Sequence, residues 1–268
     1  MKIHLKVISF LVISLFIVSM AFAATKVTVK SAAVVTKLTG NATVTPGGKV
    51  TLKRIIKVGD RLKTSAKTNL ELTFSDGTKL RVGANSDIIL VKNTKGTATN
   101  KPNTFVKVGQ GKVWGKVPKG KRKLVTQGST AVCAVMGTTF RMDTDTDSTT
   151  AGVYDGSVGI RLPVGEEEEI EKTMDSVPNL SKETTPSAPP TFGPPQEIAP
   201  PMKAIPGPTE VSMEQWLQIV ENQQIVIGPD AKAVVSEINS TGENKDEWIK
   251  WNKEADKQPL QPITIQGE

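Results

Sequence analysis

The chain has 268 residues and a net charge of +7, with one histidine, His4, and one cysteine, Cys133. His4 lies in a leader-like N-terminus, so the processed chain is expected to lack imidazole. That excludes Ser-His-Asp and Cys-His nucleophile activation, which need an imidazole to take the proton, and the usual His/Cys zinc site. A lone cysteine closes no internal disulfide, so burial and strand pairing must hold the fold.

Lys2 and Lys6 precede an apolar run from Val7 to Met20, and Ala21-Phe22-Ala23 places small residues at a cleavage spacing. This order predicts a signal peptide over residues 1–23, cut between Ala23 and Ala24, and a periplasmic or secreted mature chain. The alternative, an uncleaved anchor, has an apolar run shorter than the roughly 20 residues that cross a bilayer. The remaining charge falls into two halves. Ala24 to Leu162 holds 24 Lys and Arg against 8 Asp and Glu, whereas Pro163 to Glu268 holds 8 against 19. The first half is basic and the second acidic.

Residues 26–162 read as an all-β domain. Val27-Thr28-Val29, Leu70 to Phe74, Lys79 to Val82 and Val106-Lys107-Val108 alternate apolar and polar residues, the period of half-buried strands. On that alternation Asp60, Glu71, Asp76 and Asp87 fall in turns or face solvent. Turn signals recur at Pro46-Gly47-Gly48, Asp76-Gly77, Gly109-Gln110-Gly111 and Asp155-Gly156. Phe74 to Leu80 resembles Val153 to Gly159, a weak internal repeat of strand-turn-strand units. It predicts a repetitive, solenoid-like β domain, although spacing alone does not separate that from a sandwich.

Three segments of this domain imitate catalytic or binding motifs. Gly115 to Arg122 nearly matches a phosphate-binding loop, but Arg122 stands where a magnesium-holding Ser or Thr is needed, so a basic hairpin turn is expected. Cys133, within Ala131 to Met136, has no basic neighbour in sequence and reads as a small buried hydrophobe. Asp143-Thr144-Asp145-Thr146-Asp147 begins like a calcium loop, but Ser148 and Tyr154 replace the glycine and glutamate such a loop needs. A solvated turn is the expectation there. No catalytic, cofactor-binding or metal site is assigned. Lys116, Lys119, Lys121, Arg122 and Lys123 form the densest basic cluster and are candidates for polyanion binding. Stacking aromatics are scarce, so nucleic acid is not the expected ligand. Anionic wall polymers, lipid headgroups in peripheral membrane contact, or the chain's own acidic tail fit better.

From Glu166 the composition changes. Ten of the 17 prolines fall between Pro178 and Pro208, and residues 166–209 read as a disordered, Pro-rich linker. Residues 210–268 read as an acidic tail with two short amphipathic helices. The first has a capping box at Ser212 and Gln215, with Met213, Trp216, Leu217 and Val220 on one face; the second runs from Lys245 to Asp256. Ala233 to Val235 is a strand candidate between them. Trp216, Trp248 and Trp251 either dock the tail on its own domain or serve as candidate partner-binding anchors.

Four motifs in order carry a family resemblance. Val58-Gly59-Asp60-Arg61-Leu62-Lys63-Thr64 is followed by Leu70-Glu71-Leu72-Thr73-Phe74-Ser75-Asp76-Gly77-Thr78, then Ala134 to Met142 around Gly137-Thr138, then Gly152 to Val158 around Gly156. Together, over about residues 34–162, they resemble the FecR-domain family. The resemblance implies a β-repeat extracytoplasmic domain that binds proteins and takes part in signalling, with no catalytic residue. Only Met1 to Lys6 precede the apolar run, so a stand-alone exported FecR domain without a cytoplasmic regulatory segment is expected. The leading functional expectation is a non-enzymatic envelope binding or scaffold module. The alternatives are an extracytoplasmic component of cell-surface signalling and a carboxylate-dependent wall-active enzyme.

Overall fold

The computed structural model describes residues 33–91, 104–120, 123–163, 209–211 (backbone only) and 216–265. The expected leader, Val27 to Val29, Lys121, Arg122, Ser212 to Gln215 and the linker up to residue 208 lie outside the described residues. All described residues belong to one compact unit.

The fold is mostly β, built as two sheets joined through one long strand. The chain begins in the first sheet with β1 (Ala33–Thr39), then crosses to the second for β2 (Ala42–Thr45) and β3 (Gly48–Lys49). It returns with β4 (Ile55–Ile56), crosses with β5 (Arg61–Thr64), and comes back for the β6 (Asn69–Phe74) and β7 (Lys79–Val82) hairpin. After β8 (Asp87–Val91) in the second sheet comes β9 (Thr104–Lys116). The first half of β9 pairs with β8, and its second half pairs with β7 in the other sheet.

Gly111 marks that change of sheet. Its φ is +102°, and a Cβ there would stand 2.2 Å from the Ser86 hydroxyl. Both the bend and the close approach require glycine. The expected turn at Gly109 to Gly111 is therefore a bend within a continuous strand, because partners are available on both sides of it.

β10 (Leu124–Gln127), parallel to the start of β9, and β11 (Val132–Val135) extend the second sheet; β12 (Thr139–Thr144) and β13 (Thr149–Asp155) extend the first. β14 (Ser157–Arg161) then pairs with β11. The two halves of the apparent repeat consequently differ. Asp76-Gly77 closes a hairpin, whereas Asp155-Gly156 is a corner that carries the chain from one sheet to the other.

The C-terminal region completes both sheets. β15 (Thr209–Val211) pairs with β18 (Ala233–Glu237), β16 (Leu217–Val220) pairs with β14, and β17 (Gln223–Ile227) lies between β13 and β18. Two helices follow, α1 (Ser240–Glu243) and α2 (Glu247–Asp256). Leu217 to Val220, expected in the first tail helix, is thus a strand. Ile219 and Val220 suit a pleated surface, and the free edge of β14 supplies the backbone partners that a lone helix lacks. The Ala233 strand and the second helix form where the sequence places them. Ile219, Ile225, Ile227 and Ala233 are each at most 1 % exposed and join the same core as Leu62, Leu72, Leu80, Phe140 and Val153.

Candidate functional site

Strand register lines up a row of polar and aromatic side chains on the outer face of the first sheet. Lys37 on β1 opposes Glu71 on β6, Glu71 opposes Arg81 on β7, and Arg81 opposes Trp114 on β9. Trp114 opposes Arg141 on β12, and Tyr154 projects from β13 with its ring stacked on Trp114 at 4.3 Å. Their sequence neighbours Leu70, Leu72, Leu80, Val82, Val113, Phe140 and Val153 point into the core. Alternation along each strand thus gives one apolar face and one face of Arg, Glu, Trp and Tyr.

α2 lies across this outer face. Asp246 caps it by accepting from the Trp248 and Ile249 amides. At the other end, Asp256 accepts from Arg81 Nη1 at 2.6 Å and from Trp114 Nε1 at 2.8 Å, while Lys116 Nζ donates to the Asp256 carbonyl. That lysine sits where the helix dipole is negative. Just ahead of the helix, Glu243 accepts from Arg141 at 3.0 Å and from the Tyr154 hydroxyl, and pairs with Lys253 at 3.2 Å. Burial pushes the Tyr154 phenol above its ordinary range, and the Glu243 carboxylate pushes it further, against the opposing pull of Arg141. Trp114, Trp248 and Ile249 form an apolar cluster with Tyr154 and Trp251 at its margin.

Among the described residues, Arg81 and Glu71 are the most deeply placed charges, at 0 % and 1 % exposure, with Nε to Oε2 at 2.7 Å. Glu71 was expected to face solvent from its alternation; instead Thr36 donates to it at 2.9 Å and α2 closes over its partner. Burial alone would raise the Glu71 carboxyl. The bonds from Arg81 and Thr36 and the charges of Arg81 and Lys37 together overcome that and hold it below the usual carboxylate range. A depressed folded-state value makes the contribution full above the ordinary glutamate value of about 4.3 and lost as pH falls through the lower folded value. In urea titrations, Glu71→Gln is therefore expected to be less stable than the parent at neutral pH, with the two curves converging as pH falls below the ordinary glutamate value. A gap that stays constant across the acid range rules this account out.

The sequence-selected residues scatter. Lys116 is committed to the end of α2, Lys119 is exposed on the turn after β9, and Lys123 is half-buried. Trp216 packs against Phe105, Val125 and Val132 on the second sheet, with the Arg161 guanidinium 5.3 Å from its ring. Trp248 and Trp251 stack at 5.5 Å on the first sheet, where Arg81 lies 5.8 Å from the Trp251 ring. The three tryptophans thus touch their own domain at two separate places. Sequence reading missed Arg81, Arg141 and Tyr154. The signal available was an arginine between two apolar residues, Leu80-Arg81-Val82 and Phe140-Arg141-Met142, which reads equally well as a solvated face; Tyr154, between Val153 and Asp155, carries no such signal.

The segments that imitate motifs resolve simply. Cys133 is fully buried, and burial pushes its thiol up to about 12, far from a thiolate. Asp145 uses its carboxylate on its own turn, accepting from the Asp147 and Ser148 amides, and those bonds hold it below its usual range. Among the described residues no group of His, Cys, Asp and Glu could hold a metal ion, and no helix is long and apolar enough to cross a membrane.

No curated protein matches this chain. Two crystal structures of a candidate anti-sigma factor from Parabacteroides distasonis are similar at 11% identity, with TM-scores of 0.41 and 0.42, over 68% of this chain. The chain spans 61% of the length of those structures. Residues 60–159 match the family described as FecR protein. That span runs from Asp60 on the entry to β5 through the Asp76-Gly77 hairpin and the Gly137 strand entry to Gly159 on β14, taking in most of the four ordered motifs. The chain carries a FecR domain.

Proposed function

We propose that this chain is a non-enzymatic binding module of the cell envelope that engages a protein partner through its FecR domain. The observation that carries the reading is the outer face of the first sheet. Arg81, Trp114, Arg141 and Tyr154 stand together on adjacent strands, and these residue types dominate the binding energy of protein interfaces. The inert Cys133 and the self-occupied Asp145 speak for holding over transforming. The passage of the chain back and forth between sheets supports a repetitive, solenoid-like scaffold that keeps such a face rigid. A cleaved leader would deliver the module to the periplasm or cell surface. The basic turn around Lys119 and Lys123 is assigned a secondary role toward anionic envelope polymers.

The FecR domain favours a second reading, an extracytoplasmic component of cell-surface signalling. It differs from a scaffold in its output. Crosslinking of the processed chain in envelope extracts is expected to retain a discrete protein partner. Retention of none, or turnover of purified peptidoglycan by the chain, defeats the binding reading. A deletion strain with no change in any transcript set defeats the signalling reading and leaves the scaffold.

A further inference from the structure

We propose that the face formed by Arg81, Trp114, Arg141 and Tyr154 is the docking surface for an acidic amphipathic helix of another protein, and that Glu243 and α2 are a resident occupant displaced by it. This rests on the binding reading and names its site and the chemistry of its partner.

The composition of the face is the first support. A sheet covered permanently on both sides reads as a near-continuous hydrophobic run. Here the core-facing positions are aliphatic and aromatic, while the outer-face positions are Lys37, Glu71, Arg81, Trp114, Arg141 and Tyr154. Once uncovered, such a face is readily hydrated, because its charges regain water. The cover is matched to it by charge as well as by the packing of Trp248 and Ile249 on Trp114. Glu243 meets Arg141, Asp256 meets Arg81, and Asp246 stands 4.0 Å from Lys112.

The closed contact is also incompletely satisfied. Arg81 Nη2 and Trp248 Nε1 are buried in it without a hydrogen-bond partner. Each such group carries a desolvation cost that a differently placed carboxylate or carbonyl would relieve. The occupant, for its part, is ten residues long, too short to be stable as an isolated helix. It is helical because the face holds it, and a competing helix that answers Arg81 and Arg141 with carboxylates and fills the Trp114 site removes that support.

Two measurements on the full chain test this. In hydrogen exchange of the unmodified protein, α2 amides are expected to exchange at least about 100-fold faster than those of β6, β7 and β9, as a sub-global opening requires. Equal protection overturns the proposal. In the second, the variant Glu243→Lys/Asp256→Lys is offered a labelled synthetic peptide of residues 239–262, which carries the carboxylates of Glu243 and Asp256 that answer Arg141 and Arg81. Binding about 10-fold tighter to this variant than to the parent, weakening as salt rises, is expected. Equal or absent binding to a variant that still melts cooperatively overturns the proposal, and the exchange result decides if the variant does not fold. A stable dimer formed by exchange of this segment between copies assigns the face to a second copy of the chain and overturns the foreign-partner assignment. Crosslinked partner yield is expected to rise in the variant; an unchanged yield removes this face and leaves the binding reading standing.

Discussion

Arg81→Ala is expected to destabilise the protein by about 3–5 kcal/mol, the usual result of removing one member of a buried ion pair. The cost does not measure the attraction between the two charges. It arises because Glu71, at 1 % exposure, is left ionised with only the Thr36 hydroxyl and the distant Lys37 ammonium, 3.8 Å away, to replace the guanidinium. The Asp256 carboxylate loses the shorter of its two hydrogen bonds at the same time and retains Trp114 Nε1 as a donor. The companion variant Glu71→Leu/Arg81→Met separates these effects, since apolar replacement of both partners removes the stranded charge along with the pair. It is expected to recover most of the loss in urea unfolding. A single variant within about 1 kcal/mol of the parent would mean that water enters behind α2 and solvates Glu71.

How far the sequence announces this arrangement can be judged from Glu71 and Ile219. The alternation Leu70-Glu71-Leu72-Thr73-Phe74 correctly gives a strand with three core side chains, because a period of two is fixed by the pleat. It cannot say what lies on the other face. Arg81, the partner of Glu71, is covered there by Asn252 and Asp256, more than 170 residues distant in the chain, and nothing local in β6 or β7 encodes those contacts. Around Ile219 the error runs the other way. Met213, Trp216, Leu217 and Val220 fit a helical face, yet the free edges of β14 and β13 recruit the β-branched residues after 216 into the sheets. Tertiary pairing decides short segments whose local preferences are nearly balanced. The second helix was legible because its determinants are local: Asp246 caps its start, and Trp248, Ile249, Asn252 and Ala255 make one buried stripe.

Truncation should expose where the folding unit ends. A chain stopped after Leu162 contains all of the matched span 60–159 but lacks β15 to β18. It loses Ile219, Ile225 and Ile227 from the common core, each at most 1 % exposed. At about 1.5–3 kcal/mol for each buried side chain, the loss is on the order of 5–9 kcal/mol, comparable with the whole net stability of a typical domain. It also leaves β13 and β14 as bare edges, open to pairing with other chains. The expected product is aggregation without a cooperative melt. A chain stopped after Ile238 keeps every described strand and sheds the two helices with the segment that follows them. Because the face they cover is charged and aromatic rather than aliphatic, this second chain is expected to melt cooperatively and stay soluble. Cooperative unfolding of the shorter chain, close to the parent in midpoint, would place the fold boundary at the family match and make the later strands mere attachments. The opposite pattern, collapse of both chains, would make the helices part of the core and remove the physical basis for their release.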